Sequence, residues 1–219
     1  MAFVPSFPIN SIADVRRLEE TPLDEAITIS STYELFVASA RAFGDKTALR
    51  FLTDADPDSP TIAWSYDQLL KRIHQTANLL HRLGIEATDT VSILLPGCLE
   101  YHLALWGGEA AGIVNPLNPL LSEDKLAELM VTAKTKVLIA YGAEGDSDYW
   151  QKALNLRSRV STLHTLLRVE PHDESPDAEG PLPDDCLNFS AHCRQQPNDK
   201  LTSGREIKSA DTAAYFHTG

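Results

Sequence analysis

The sequence predicts an α/β fold: a mostly parallel sheet flanked by helices on both faces, with an antiparallel hairpin near the N-terminus. Three observations carry this expectation. Val91 to Leu95 and Val137 to Tyr141 are continuous apolar runs of strand length, the pattern of strands covered on both faces. Helix-length amphipathic stretches alternate with them, as in chains built from strand–helix–strand crossovers. Between two short strand-like segments lies Thr53-Asp-Ala-Asp-Pro-Asp-Ser-Pro60, which is turn chemistry throughout.

Residues 1–31 are polar and proline-punctuated, and they are read as an arm with a short helix near Ile12 to Glu20. Residues 32–219 form the α/β part. Tyr33, Phe36, Val37, Ala40 and Phe43 recur at helical spacing, and Gly44 stands where a C-terminal cap belongs. Lys46 to Leu52 and Thr61 to Tyr66 are the strands of the hairpin. The aspartates of its turn, Asp54, Asp56 and Asp58, suggest calcium only superficially, because Ser59 and Ser65 occupy the positions where such a loop needs glycine and glutamate.

Ser65 and Gln68 form a capping-box pair ahead of Leu69, Leu70, Ile73, Ala77, Leu80 and Leu83, which share one helical face, and Gly84 closes that helix. His74 and His81, seven residues apart on it, are read as surface or boundary positions. Asp89 to Pro96 contains the first interior strand. A helix from Leu99 to Ala111 ends at Gly112, and Ile113-Val114-Asn115 is a strand stopped by Pro116 and Pro119. Ser122 then caps a helix whose first turn carries Glu123 and Asp124, where the helix dipole favours negative charge, and whose inner face is Leu126, Leu129, Met130 and Ala133. Val137 to Tyr141, Ser147 to Leu156 and Thr162 to Val169 continue the alternation as strand, helix and strand.

Glu170 to Asp185 interrupts it with seven acidic residues, four prolines and neither lysine nor arginine, and it is expected to be a solvated excursion. Cys186, His192 and Cys193 follow without the fourth ligand and pair spacing of a zinc site. Ala213 to Phe216 reads as an interior strand that delivers the chain to Thr218-Gly219.

Composition bounds the function. Of 219 residues 43% are hydrophobic, enough for a packed core. The net charge of −12 opposes binding to nucleic acid phosphates and anionic lipid. No apolar run approaches the roughly 18 residues of a membrane span. The first residues lack the basic and apolar regions of a secretory signal, and the three cysteines have no scaffold spacing, so a cytoplasmic location is expected. A dinucleotide site is disfavoured, since only Gly97 follows the Val91 to Leu95 strand where a glycine fingerprint belongs.

Four blocks, in this order, resemble the adenylate-forming (AMP-binding) superfamily of acyl-CoA synthetases, peptide-synthetase adenylation domains and luciferases. They are Trp64-Ser-Tyr-Asp-Gln-Leu69, Leu83-Gly-Ile-Glu-Ala-Thr-Asp-Thr-Val-Ser-Ile-Leu-Leu-Pro96, Trp106-Gly-Gly-Glu-Ala-Ala-Gly-Ile-Val-Asn-Pro-Leu-Asn-Pro119 and Ala210-Asp-Thr-Ala-Ala-Tyr-Phe-His-Thr-Gly219. The wording Asn115-Pro-Leu-Asn-Pro119 is most similar to acyl-CoA synthetases of the fatty or aryl acid type. Gly107, Gly108 and Gly112 are expected to allow close helix–sheet approach, and Trp64 and Trp106 to be core residues.

The resemblance implies an acid–thiol ligase that forms an acyl-adenylate from a carboxylic acid and ATP, then a CoA thioester. It makes Thr218 and Gly219 the first two positions of a Thr/Ser/Gly-rich loop that binds ATP phosphates through backbone N–H groups. It places the rest of that loop, the Mg²⁺ site and the catalytic lysine beyond residue 219, so this sequence reads as the front of such an enzyme and carries no assignable catalytic or metal-binding residue. ATP, Mg²⁺, CoA and a small carboxylic acid are partners of the full-length enzyme, and the 219 residues alone are expected to be inactive. Two other readings stay open: an amino- or aryl-acid adenylation domain loading a carrier protein, and a non-catalytic α/β ligand-binding module.

Overall fold

The computed structural model describes residues 7–56, 58–142, 148–170, 182 and 186–217. Helices α1 (Ile12–Glu19) and α2 (Leu23–Ala26) come first, and α1 buries no residue. Helix α3 (Thr32–Phe43) follows the expected apolar spacing. It ends at Gly44 for a reason the sequence did not suggest. The glycine has φ −26°, outside the left-handed region, and a Cβ there would stand 2.9 Å from the Asp67 carboxylate.

Strands β1 (Thr47–Leu52) and β2 (Thr61–Ser65) pair antiparallel as the expected hairpin. Helix α4 (Tyr66–Arg82) starts with the capping box: Ser65 accepts from the Gln68 N–H, and the Gln68 side chain accepts from the Ser65 N–H. It stops at Gly84, whose φ of +85° lets Gly84 N–H reach His81 O and Ile85 N–H reach Leu80 O, satisfying two terminal carbonyls.

The main sheet contains β3 (Thr90–Leu94), β4 (Ile113–Pro116), β5 (Thr135–Tyr141), β6 (Thr165–Val169) and β7 (Cys186–Asn188), all parallel, in the spatial order β4-β3-β5-β6-β7. Helices α5 (Leu99–Ala111), α6 (Glu123–Thr132) and α7 (Tyr149–Arg157) connect them, and α8 (Phe189–Arg194) follows β7. The sheet separates two apolar cores, and alternation along β5 assigns them. Val137 and Ile139 join Leu69, Ile73, Leu80, Leu103, Ala104 and Phe189 from α4, α5 and α8. Leu138 and Ala140 point the other way, to Leu126, Met130, Ala153 and Leu156 from α6 and α7. Helices therefore cover both faces, as the pattern of apolar runs predicts.

Strand β7 and helix α8 are elements the sequence reading did not assign. Three residues of strand carry no readable periodicity, and β7 is defined only by pairing with Leu166 to Arg168. Most of the acidic excursion, 171–181 and 183–185, lies outside the described residues.

The expected interior strand at Ala213 to Phe216 is corrected. This segment forms an isolated parallel bridge between Ala214 and Val114, with Val114 N–H donating to Ala213 O at 3.0 Å and Tyr215 N–H to Val114 O at 2.8 Å. It lies on the outer edge of β4. Among the described residues no strand covers its other side, so Tyr215 is 40% and Phe216 67% exposed. Aromatic, apolar composition suggested burial; among the described residues only β4 pairs with this segment.

Candidate functional site

The loop after β3 leads to α5 on one face of the sheet, whereas the loops after β4 and β5 lead to α6 and α7 on the other. Connections diverge to opposite faces at this point, and the carboxyl ends of strands where connections part in this way are the usual ligand position in open α/β sheets. The terminal segment runs parallel to β4 and so travels toward this same edge.

His217, the last described residue, marks its arrival. The ring is exposed, yet Nε2 lies 2.6 Å from Oδ1 of Asn115, a fully buried residue of β4. Asn115 Nδ2 donates to Ser92 Oγ at 2.9 Å, and the Ser92 and Thr135 hydroxyls meet at 2.7 Å. A line of polar side chains thus crosses β4, β3 and β5. Buried polar atoms are tolerated only when paired, and each member supplies its neighbour's partner. With Nδ2 committed to Ser92, the carbonyl oxygen of Asn115 faces the histidine, so His217 Nε2 carries the proton and donates it.

Thr218 and Gly219, the expected phosphate-binding positions, lie outside the described residues. Neighbouring residues at the same edge are described. Cys98 precedes α5, and burial, reinforced by the Glu100 charge, pushes its thiol up to about 12. Tyr141 at the end of β5 is raised chiefly by burial, with smaller contributions from Cys98 and Glu100. Arg168 on β6 donates to Gly142 O at 2.9 Å and pairs with Glu170 at 2.9 Å, and a Cβ on Gly142 would meet that arginine at 2.3 Å. These contacts tie the ends of β5 and β6 together.

A cavity of about 590 Å³ opens between β2, α4, α5 and α8, lined among others by Trp64, Arg72, Leu99, Leu103, Phe189 and Cys193. Trp64 is 8% exposed and contributes to both core and cavity wall, with the Arg72 guanidinium 4.5 Å above its ring. Trp106, the other tryptophan expected in the core, is only half-buried and packs between Phe36 and His102.

His74 departs from the surface or boundary position expected of it. It is buried, its Nδ1–H donates to Asn198 O at 2.9 Å, and Nε2 accepts from the Tyr33 hydroxyl at 2.9 Å. His81 occupies a boundary position, with Nδ1–H donating to Ile85 O. Cys193 sits beside the Thr76 hydroxyl at 3.7 Å, and burial pushes its thiol up to about 12. Among the described residues, no three His, Cys, Asp or Glu side chains gather to hold a metal ion.

A parallel sheet with helices on both faces, crossed by a line of buried polar side chains, defines a doubly covered α/β protein. The sequence profile of the AMP-binding enzyme family matches residues 36–219, and the chain belongs to that family. Among its relatives, the marinolic acid–CoA ligase of Pseudoalteromonas sp. (strain SANK 73390) is 27% identical over 222 residues, covering 99% of this chain and 32% of the ligase. The acetyl-coenzyme A synthetase of Xanthomonas campestris pv. campestris (strain 8004) is 31% identical over 146 residues, covering 63% of this chain and 22% of the synthetase.

The chain therefore spans about a third or less of the length of these relatives. In fold it is similar to the anthranilate CoA ligase AuaEII in complex with anthranoyl-AMP, with a TM-score of 0.60 and 19% identity over 83% of this chain and 30% of that one. The acetoacetyl-CoA synthetase from Streptomyces lividans gives a TM-score of 0.63 and 17% identity over 77% of this chain and 25% of that one.

Proposed function

We propose that residues 32–219 supply the front of the nucleotide-binding domain of an AMP-forming acyl-CoA synthetase, with residues 1–31 as an arm outside it. The observation that carries this reading is the course of the terminal segment: it runs beside β4 to the carboxyl edge and is held there through His217 and Asn115, immediately before Thr218-Gly219. The relatives' names, each a CoA ligase or synthetase, support the same reading.

In this reaction a carboxylate oxygen attacks the α-phosphate of ATP, the bond to the β-phosphate oxygen breaks, and pyrophosphate leaves with those electrons. The acyl-adenylate then carries a good leaving group. The CoA thiol, losing its proton, attacks the acyl carbon and displaces AMP. Carboxylates need this activation because their own leaving group would be oxide. Both steps concentrate negative charge on phosphate oxygens, which backbone N–H groups at Thr218 and Gly219 would help to hold. Mg²⁺ would neutralise phosphate charge when bound; no ligand set for it is found among the described residues, and no step is assigned to it.

Two N–H groups cannot by themselves orient a triphosphate, so the 219 residues alone are proposed to be inactive. A fatty or aryl acid is the proposed substrate class. A cytoplasmic location is proposed from the three free thiols. None of the described helices is long and apolar enough to cross a membrane.

ATP–pyrophosphate exchange tests the proposal. It is measured with a panel of fatty, aryl and amino acids on the natural polypeptide carrying this sequence and on the 219-residue chain. Acid-dependent exchange by the first and none by the second is expected, with CoA as acyl acceptor. No exchange by the natural polypeptide with any acid overturns the reading, and transfer to a carrier protein in place of CoA favours the carrier-loading alternative.

A further inference from the structure

We infer that Asn115 is a positioning residue for the phosphate loop, acting through His217; this rests on reading Thr218-Gly219 as the start of that loop. A carboxamide on an interior strand is costly to bury unless all its polar atoms are paired. Asn115 is 0% exposed, and its amide nitrogen is held by Ser92, its Cα partner across the β3–β4 register. Ser92 is in turn held by Thr135. The carbonyl oxygen is therefore presented in one direction, and the group it meets there is His217 Nε2 at 2.6 Å.

The terminal segment needs such an anchor. Phe216 is 67% exposed and Tyr215 40%, so among the described residues apolar burial holds this segment only in part. Among the described residues, two backbone hydrogen bonds to Val114 and this side-chain bond join 213–217 to β4. Of these, the bond to His217 acts closest to Thr218. A loop that grips phosphate through backbone N–H groups gains affinity from having its first residues already placed, because less ordering is left to the ligand. Asn115 touches no ATP atom; it holds His217, the residue immediately before Thr218.

The test uses ATP–pyrophosphate exchange by the natural polypeptide, with His217→Ala, His217→Gln and Asn115→Leu. Glutamine can place an amide N–H near the position of Nε2, whereas alanine cannot. H217A and N115L are expected to raise KM for ATP about tenfold with kcat changed less than about twofold, and H217Q to stay within about twofold of wild type, since a lost bond to a buried acceptor is worth about that factor. His217 is exposed, so its variants fold even where N115L does not. Independently of nucleotide, the Tyr215 amide should exchange with deuterium faster in H217A than in wild type, and H217Q should restore its protection.

A wild-type polypeptide without exchange activity overturns the phosphate-loop reading and this inference with it. Active wild type with an unchanged KM for ATP in H217A overturns the inference alone. So does an H217Q as impaired as H217A, because the donated hydrogen bond would then not be what matters.

Discussion

Thr76 on α4 presses against Gly107 on α5 so closely that a Cβ built on the glycine would lie 2.5 Å from the threonine Cβ and 2.6 Å from its Cγ2. Neither atom is the far end of a flexible chain. Gly107→Ala gains helix propensity but must push two buried helices apart, and the expected net loss is about 1 to 3 kcal/mol, read as a lower urea midpoint. Thr76→Gly in the same chain should recover part of it, because the clash is pairwise.

Asn78 makes four hydrogen bonds to one loop. Its Nδ2 donates to Pro197 O and Lys200 O, both at 2.9 Å, and its Oδ1 accepts from Thr202 N–H at 2.8 Å and Thr202 Oγ1 at 3.0 Å. Asn78→Ala should cost about 1 to 3 kcal/mol, since four hydrogen bonds that tie this loop to α4 are lost together. Hydrogen exchange at the Thr202 amide should accelerate well beyond the change seen in β3.

Glu109 near the end of α5 has its carboxyl raised above 4.5, mainly by burial, against a smaller lowering by the Thr32 hydroxyl. The folded state therefore binds this proton more tightly than the unfolded state. Its contribution to stability is greatest below about pH 4.5, declines as pH rises through the raised folded value, and above that remains a fixed penalty. Glu109→Gln should be more stable than wild type at neutral pH, with the difference shrinking as pH falls toward 4.5. Urea unfolding of both proteins across this range reads the sign directly.

Cys98 and Cys193 have thiols pushed up to about 12, and Cys186 is raised as well, in each case chiefly by burial. A thiolate is the reactive form. At pH 8 the folded protein should show almost no reaction with a chromogenic disulfide reagent, and all three cysteines should react once concentrated guanidinium is added. Rapid labelling of Cys193 in the folded state would show that the cavity wall opens.

The local grammar of the chain was legible. Ser65 and Gln68 announce the start of α4, Gly84 its end, and the run Val91 to Leu95 an interior strand, because caps, turns and periodic burial act over only a few neighbouring residues. The glycines Gly107, Gly108 and Gly112 were legible as points of close approach, although two of their partners were not: Thr76 and the Asp89 carbonyl are remote in sequence, whereas Val114 lies only six residues from Gly108. β7 escaped notice because three residues hold too little pattern. His74 and Asn78 are polar residues on an amphipathic helix, and nothing local says that a loop more than a hundred residues away will cover them.

By itself, then, the order of residues determined most of the helices and strands, where most of them stop, and the family to which the chain belongs. Tertiary structure alone decided that Ala213 to Phe216 lies on the edge of the sheet and that a buried asparagine receives His217. The division has a physical cause. Propensity and capping are short-range effects that recur wherever the same few residues occur, whereas pairing and burial of polar groups depend on which distant segment arrives to meet them.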